Sequence, residues 1–278
     1  MTYTTVHVPI SGGESAVDCL ITGSGPALVL VHGTGADPEG NWGPVIEALD
    51  DRYTIVAPTL SGSGATIDTG APLTVDDLVA QVLGAVDAAG LGAFHLAGHS
   101  LGATVAAAVA GERPERVRSL FLHAGWAVTD AWQEFQFGLW QQLLRADKDL
   151  LSRVLQVTAF GAGTLARRRI EDFEQGVAGF NGLFDAEGMA RQAELNTRVD
   201  ITAALARITA PTLVVSGSQD LIVPPHHQKE LVDAIPGARH KVLDGGHALP
   251  FELPELFART LTEFVDRHQA AAADAPAA

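Results

Sequence analysis

The feature that most constrains the fold is an alternation of short β-branched runs with longer amphipathic segments. Parallel neighbouring strands need a crossover between them, usually a helix, so this alternation is typical of an α/β fold with helices on both faces of a mostly parallel sheet. A glycine turn separates the first two runs, which predicts an antiparallel hairpin. The predicted strands are Val6–Ile10, Val17–Thr22, Ala27–His32, Tyr53–Ala57, Phe94–Ala97, Val117–Ala124, Thr212–Ser216 and Lys241–Leu243.

Amphipathic segments lie between the later strands. In Thr74–Ala88, apolar residues recur at intervals of three and four from Val75 through Leu78, Val79 and Val82, which marks a stripe facing the core. The other predicted helices are Trp42–Leu49, Leu101–Gly111, Ile201–Ile208, His227–Ile235 and Leu253–His268.

One long stretch breaks the alternation. Residues 127–199 carry a helical pattern with glycine punctuation and no convincing strand, so we expect a helical insertion lying over the sheet. The stretch is rich in aromatic side chains. Most should form its own small core, and some, including Phe135, Trp140 and Trp126 at its entrance, are candidates to line a pocket. The Ala-rich stretch 270–278 is predicted to be a disordered tail.

Composition limits the partners. The chain has 278 residues, is 47% hydrophobic and carries a formal net charge of −15, so it has enough apolar residues for a core, and its negative field disfavours nucleic acid and membrane surfaces as partners. Cys19 is the single cysteine, which excludes an internal disulfide framework and a cluster of thiol metal ligands. We therefore expect a cytoplasmic protein, a monomer or homodimer, that acts on a small molecule.

The sharpest local signal is Gly98-His99-Ser100-Leu101-Gly102, between a predicted strand and an Ala-rich predicted helix. A serine on a tight strand-to-helix turn needs glycines on both sides because neighbouring chain lies close, and the helix N-terminus favours developing negative charge. This context indicates that Ser100 is a nucleophile. The alternative is a structural glycine turn.

A nucleophilic serine needs an imidazole within hydrogen-bond reach and a carboxylate that fixes the tautomer of that imidazole. Two later turns supply candidates at strand ends: Gly-Ser-Gln-Asp ends in Asp220, and Asp-Gly-Gly-His ends in His247. Both turns are predicted at the carboxyl edge of the sheet, where open α/β folds place their sites. The order Ser100, Asp220, His247 matches the hydrolase order of nucleophile, acid and base.

Competing candidates remain for the acid and the base. Asp130 follows the sixth predicted strand and is the main alternative to Asp220, because a triad can draw its acid from the preceding strand. Among the 10 histidines, His226 and His227 follow two prolines and are expected to be exposed. His95 and His123 lie within strand patterns and are expected to be packed.

Acyl transfer also needs donors aimed at the oxyanion. The segment His32-Gly33-Thr34-Gly35 follows a predicted strand, and the backbone amides of Thr34 and Leu101 are the candidate pair. His32 and Gly33 are further candidates for substrate contact. The alternative is an ordinary glycine turn.

The HGTG, GHSLG, SQD and GGH segments, in that order, resemble the α/β-hydrolase superfamily, in its single-domain esterase, lactonase and cofactor-free haloperoxidase-like branch. The resemblance covers residues 6 to about 265. It implies an eight-stranded sheet with an antiparallel second strand, no cofactor or metal, and a helical cap (127–199) between strands six and seven of a core formed by 1–126 and 200–269. It also implies that Ser100, Asp220 and His247 form a triad, with Thr34 and Leu101 as oxyanion donors.

One departure from the family pattern concerns substrate choice. Relatives often carry Asp-x-Arg-Gly-x-Gly after the fourth strand, whereas residues 59–64 read TLSGSG and lack both charges. The subfamily and substrate therefore stay open. Arg167, Arg168 and Arg169 are candidates to meet a substrate carboxylate, but a solvated helix face is the favoured interpretation.

These residues predict a serine hydrolase that acts on an ester, lactone or thioester of a small, largely apolar substrate. Two other classes stay open. One is a carbon–carbon hydrolase, lyase or cyclase of a polyketide-like substrate, in which the same oxyanion hole stabilises an enolate; the other is a non-catalytic ligand-binding protein on the same fold. A dehalogenase is disfavoured because that branch needs a carboxylate where Ser100 stands.

Overall fold

A computed structural model describes residues 2–273, and its centre is one eight-stranded sheet. The strands are β1 Thr2–Ile10, β2 Gly13–Thr22, β3 Ala27–Val31, β4 Thr54–Pro58, β5 Phe94–His99, β6 Val117–His123, β7 Thr212–Gly217 and β8 Arg239–Leu243. Their order across the sheet is β1-β2-β4-β3-β5-β6-β7-β8. β2 is antiparallel to both β1 and β4, and all other neighbours are parallel. The predicted strands and the mostly parallel sheet with its antiparallel second strand are confirmed.

The helices lie on both faces of the sheet and between β6 and β7. They are α1 Pro38–Leu49, α2 Val75–Ala88, α3 Leu101–Glu112, α4 Ala131–Ala146, α5 Lys148–Thr158, α6 Ala162–Leu165, α7 Ile170–Asn181, α8 Ala186–Asn196, α9 Thr202–Leu205, α10 Pro225–Ala234, α11 Leu249–Glu252 and α12 Pro254–Ala273. The six helices predicted outside 127–199 are present. α12 runs four residues into the predicted tail, so the boundary at 269 was too early, and residues 274–278 lie outside the described part of the chain.

Each face of the sheet has its own apolar cluster. In β3, Val29 packs in the cluster that contains α2 and α3, whereas its neighbours Leu28 and Leu30 pack in the cluster that contains α1 and α12. Successive side chains of a strand point to opposite faces, so a strand covered on both sides is apolar throughout, and all five residues of β3 are buried. Both faces of β3 are therefore covered, and the strand order places β3 and β5 in the middle of the sheet.

Six helices, α4 to α9, lie between β6 and β7, the first five of them within residues 127–199, and no strand of the described structure occurs among them. An isolated antiparallel bridge between Val128 and Asp200 pairs the two ends of this helical segment, which spans residues 127–199. No helix within residues 2–273 combines the length and hydropathy that crossing a bilayer requires.

Candidate active site

Ser100 lies between the last residue of β5 and the first residue of α3, with φ 56° and ψ −124°. A positive φ is costly for a residue with a side chain, by about 1–3 kcal/mol, and persists only where the surroundings impose it. The glycines on either side leave room for this turn: a Cβ at Gly98 would lie 2.2 Å from the Gly102 carbonyl oxygen, and a Cβ at Gly102 would lie 2.2 Å from the Val31 carbonyl oxygen. The turn therefore projects Ser100 from the sheet edge only because both neighbours lack side chains.

The structure brings Ser100, His247 and Asp220 into one hydrogen-bonded chain. His247 Nε2 is 3.0 Å from Ser100 Oγ, and His247 Nδ1 is 2.8 Å from Asp220 Oδ2. A carboxylate only accepts hydrogen bonds, so Nδ1 carries the imidazole proton and donates a hydrogen bond to Asp220. This leaves Nε2 to accept a hydrogen bond from the serine hydroxyl. All three side chains are buried. The arrangement can move a proton from the hydroxyl to the imidazole.

Asp220 is held by backbone as well as by the imidazole. Its second oxygen, Oδ1, accepts from the amides of Ile222 and Val223 at 2.8 Å each. These bonds fix the carboxylate plane in the loop between β7 and α10, because both oxygens have partners. The competing acid Asp130 is used elsewhere: its Oδ1 accepts from the Gln133 amide and caps α4.

Asp130 lies next to His226 and His227, which were both expected to be exposed. His226 is exposed as expected, but His227 is only 2% exposed, so the expectation of exposure was wrong for it. The His227 Nε2 atom lies 3.4 Å from the Asp130 carboxylate. The His226 ring packs against the His227 ring, with 4.0 Å between their centroids. The Asp130 carboxylate at the N-cap of α4 thus lies next to the buried ring, a contact that a local pattern of prolines and histidines cannot indicate.

Two further histidines surround the backbone of His247, and no pattern in the sequence indicated a role for them in the site. His99 Nε2 and His123 Nε2 lie 3.3 and 3.1 Å from the His247 carbonyl oxygen, and their rings stack at 5.0 Å. Burial lowers the pKa of His123 to about 4 and holds that of His99 well below its ordinary value. Neutral rings beside His247 add no positive charge that would oppose its protonation.

The turn after β3 presents one unpaired amide toward the site. Gly33 N donates to Asn41 Oδ1 and Gly35 N donates to Gln192 Oε1, both at 2.8 Å. The amide of Thr34, between them, and the amide of Leu101 donate to no acceptor among residues 2–273. Side-chain bonds on both sides hold the turn while leaving the Thr34 amide available to a ligand.

His32 supports this turn rather than the substrate. Its Nε2 accepts from the Leu60 amide at 2.8 Å, so the proton is on Nδ1, which donates to the Gly33 carbonyl oxygen at 2.8 Å. Burial lowers its pKa to about 4. The ring is fully buried and does not line the cavity next to Ser100, so the prediction of substrate contact by His32 was wrong.

A cavity of about 370 Å³ opens beside Ser100 and His247. Gly33 and Thr34 line it at the sheet edge, and apolar side chains of the helical segment form most of the opposite wall. The largest of these are Trp140, Leu155, Phe160, Phe180, Leu183 and Met189. The volume is in the range of small-molecule sites, roughly 300–1,000 Å³.

Of the aromatic candidates, Trp140 lines the cavity, but Phe135 and Trp126 do not, so those two predictions were wrong. Phe135 is 77% exposed, because the inward stripe of α4 contains Phe137 and Trp140 and places Phe135 on the opposite side. Trp126 is fully buried, stacks on Phe137 and donates from Nε1 to Thr129 Oγ1 at 3.1 Å.

The turn of residues 59–64, which lacks the charged pair common in relatives, is held by the side-chain amide of Gln192. Gln192 Nε2 donates to the Ser61 carbonyl oxygen at 2.8 Å and to Ser63 Oγ at 3.1 Å. Gly62 has φ 87°, and a Cβ there would lie 2.6 Å from the Gly188 carbonyl oxygen. The same Gln192 bonds the Gly35 amide, so α8 joins the TLSGSG turn to the turn after β3 without charge.

The family described as the alpha/beta hydrolase fold matches residues 26–254 of the chain. The chain belongs to this family. This α/β hydrolase is 40% identical over 254 residues to a protein named pyrrolizixenacetamide deacetylase from Xenorhabdus hominickii, an alignment that covers 91% of this chain and 96% of the relative. The predicted family and enzyme class are confirmed: the protein is a hydrolase.

Solved structures of α/β hydrolases share the whole fold. An esterase from Thermogutta terrifontis superposes with a TM-score of 0.83 at 25% identity, covering 96% of this chain and 99% of that one. The enol-lactonase from Burkholderia xenovorans superposes with a TM-score of 0.81 at 24% identity, covering 94% and 99%. The second likeness concerns the fold alone.

Proposed function

We propose that this hydrolase cleaves carboxylic acyl bonds through an acyl-enzyme on Ser100. The observation that carries the proposal is the hydrogen-bonded chain of Ser100, His247 and Asp220 beside a cavity of about 370 Å³. Each side chain has the partner that its role requires, and the two bonds of His247 set the tautomer that a general base needs.

In the proposed reaction, Ser100 Oγ attacks the carbonyl carbon while His247 Nε2 takes the hydroxyl proton. Asp220 stabilises the imidazolium that forms. His247 then gives the proton to the leaving group, and a water molecule repeats the sequence to release the acid and restore Ser100. The unpaired amides of Thr34 and Leu101 support the assignment of an oxyanion hole, a device whose single donors are worth about 10²- to 10³-fold in kcat in other enzymes.

The helical segment 127–199 acts in this proposal as a cap over a core formed by 1–126 and 200–269. It supplies most of the apolar cavity wall, which supports a small substrate with a largely apolar body. Excluding water from the cavity strengthens the interactions of the oxyanion with its donors.

Covalent labelling tests the nucleophile directly. A fluorophosphonate probe should label the wild-type protein at Ser100, as located by peptide mass spectrometry, and should fail to label Ser100→Ala. Hydrolysis of 4-nitrophenyl acetate should fall by about 10⁴- to 10⁶-fold in the same variant, with an unchanged melting temperature. Ser152→Ala is the matched control, because Ser152 is also buried but lies on α5. Full activity of Ser100→Ala would reject the mechanism.

The relative's name favours a second candidate within the same mechanism, the removal of an N-acetyl group. The 40% identical relative is named a deacetylase. Amides need protonation of a poorer leaving group, which the same His247 would supply. Comparison of kcat/KM for 4-nitrophenyl acetate and 4-nitroacetanilide separates the two: turnover of both favours deacetylation, and turnover of the ester alone favours an esterase. Turnover without any acyl adduct by intact-mass measurement would instead favour enolate chemistry.

A further inference from the structure

We infer that Arg168 forms a recognition site for a carboxylate group of the substrate, on the wall of the cavity that also contains Ser100. The inference rests on the proposed function and narrows its substrate class. The substrate would carry its scissile acyl bond at one point of an apolar body and a single carboxylate at another.

Three successive arginines lie directly before α7, in its connection from α6, and only one of them lines the cavity. Arg167 and Arg169 are exposed, whereas Arg168 is half-buried and lines the cavity. Among the cavity-lining residues of the described chain, Arg168 is the one with a permanent charge. A half-buried guanidinium in a mostly apolar wall is stabilised when a counter-charge arrives.

The protein does not supply that counter-charge. None of the ion pairs within residues 2–273 includes Arg168, and the two acidic side chains whose fields reach it, Glu252 and Asp172, are engaged elsewhere. Glu252 accepts from the amides of Gly161 and Gly246 at 2.9 and 2.5 Å. Asp172 accepts from the Arg169 amide at 2.8 Å and pairs with the Arg169 guanidinium. Burial accordingly lowers the pKa of Arg168.

The guanidinium is held in one orientation before any ligand arrives. Its central carbon lies 3.8 Å from the centroid of the Phe160 ring and 5.6 Å from that of Phe173, and one Nη donates to Gln156 Oε1 at 2.9 Å. Stacking occupies the face of the group and leaves N–H donors at its edge with no acceptor in the described residues. A planar edge of two N–H groups matches the two oxygens of a carboxylate.

The charge balance favours a carboxylate over a phosphate. One guanidinium neutralises one negative charge, whereas a phosphate monoester carries about two at neutral pH and would leave an uncompensated charge in an apolar cavity. The surrounding chain has a net charge of −15 and cannot offset the excess.

The test compares matched esters that differ in one charge. The pairs are 4-acetoxybenzoate with 4-acetoxybenzamide, which place the charge on the leaving group, and mono-4-nitrophenyl adipate with its methyl ester, which place it on the acyl chain. The quantity is the ratio of kcat/KM for the charged ester to that for the neutral ester. A general disturbance of Ser100 lowers both rates and cancels in this ratio.

In at least one pair the ratio should fall by about 10- to 100-fold in Arg168→Gln, the loss expected for a charge-assisted hydrogen bond. Arg168→Lys should retain part of the preference, and Arg167→Gln, an exposed neighbour, should retain all of it. An unchanged ratio in Arg168→Gln for both pairs, or no turnover of either carboxylate ester by the wild type, would overturn the inference. Failure of the proposed function would differ, because Ser100→Ala would then retain turnover of the neutral esters.

Discussion

The sheet edge and the helical segment that together enclose the cavity are built in different ways. At the edge, backbone geometry and polar bonds determine position: Ser100 has a positive φ, Asp220 is fixed by two amides, and Gly98 and Gly102 have no room for a Cβ. The helical segment supplies mostly apolar side chains to the cavity wall and leaves several other large apolar side chains exposed, Phe135 at 77% among them. In the proposed mechanism, backbone bonds at the sheet edge would position the reacting groups, while side chains of the helical segment, which a few substitutions can change, would select the substrate.

The largest effect should come from the acid at the sheet edge. Asp220→Asn keeps the shape of the side chain but lets the amide stabilise the wrong tautomer of His247, so kcat/KM for 4-nitrophenyl acetate should fall by about 10⁴-fold. Asp130→Asn is the matched control and should change the rate by less than about threefold, since Asp130 caps α4. Comparable losses in the two variants would contradict the assignment of Asp220.

Glycine-to-alanine substitutions in the two regions should change the free energy of unfolding in opposite directions. Gly102→Ala places a Cβ 2.2 Å from the Val31 carbonyl oxygen, and we expect the free energy of unfolding to fall by about 3 kcal/mol or more. Gly138 lies inside α4, and a Cβ there would meet nothing within 4 Å, so Gly138→Ala should raise stability by about 0.5–1 kcal/mol. Urea unfolding measures both, and a loss at both positions would remove the contrast.

The free energy of unfolding should decrease as the pH is lowered, because neutral histidines are buried next to the site. Burial lowers the folded-state pKa of His32 and His123 to about 4, below the unfolded value of about 6.5. Between these values the unfolded chain binds more protons, so stability is lost as pH falls through this window, on the order of 2 kcal/mol for each ring at pH 5. Urea unfolding from pH 7.5 to 5 should show this slope, and His123→Gln should reduce it. An identical slope in that variant would contradict the role of His123.

The smallest effect should come from the contact that joins the two regions. Glu252 accepts from Gly161 of the helical segment and from Gly246 next to His247. Glu252→Gln replaces one accepting oxygen by a donor, so the free energy of unfolding should fall by about 1–2 kcal/mol and kcat/KM should fall with it. Glu255→Gln, on the exposed side of α12, should change neither. A loss of stability with full activity would show that the Gly246 bond does not position His247.

Local patterns in the sequence were sufficient for the architecture and for the residues at the sheet edge. β3 is apolar throughout because both of its faces are covered, and each of Ser100, Asp220 and His247 lies in a short turn directly after a strand. Parallel strands bring their carboxyl ends to one edge, so side chains far apart in the chain meet there without any need to know the packing in detail. Glycine spacing around Ser100 is also local, since the close approach occurs within the turn and to the adjacent strand.

Only the tertiary structure decided which side chains of the helical segment face the cavity. Phe135 and Trp140 both lie on α4, yet one is exposed and the other lines the cavity, and Arg168 faces inward between two exposed arginines. His227 is buried, and Asp130, which lies nearly a hundred positions earlier in the sequence, is next to its ring. Side chains of a strand alternate between two faces, and the turns after parallel strands lie at one edge of the sheet. The position of a residue in the sequence therefore determines where its side chain points in a strand or in such a turn. The direction of a helical side chain depends on how the helix rotates against its neighbours, and that rotation is set by contacts between residues distant in the sequence.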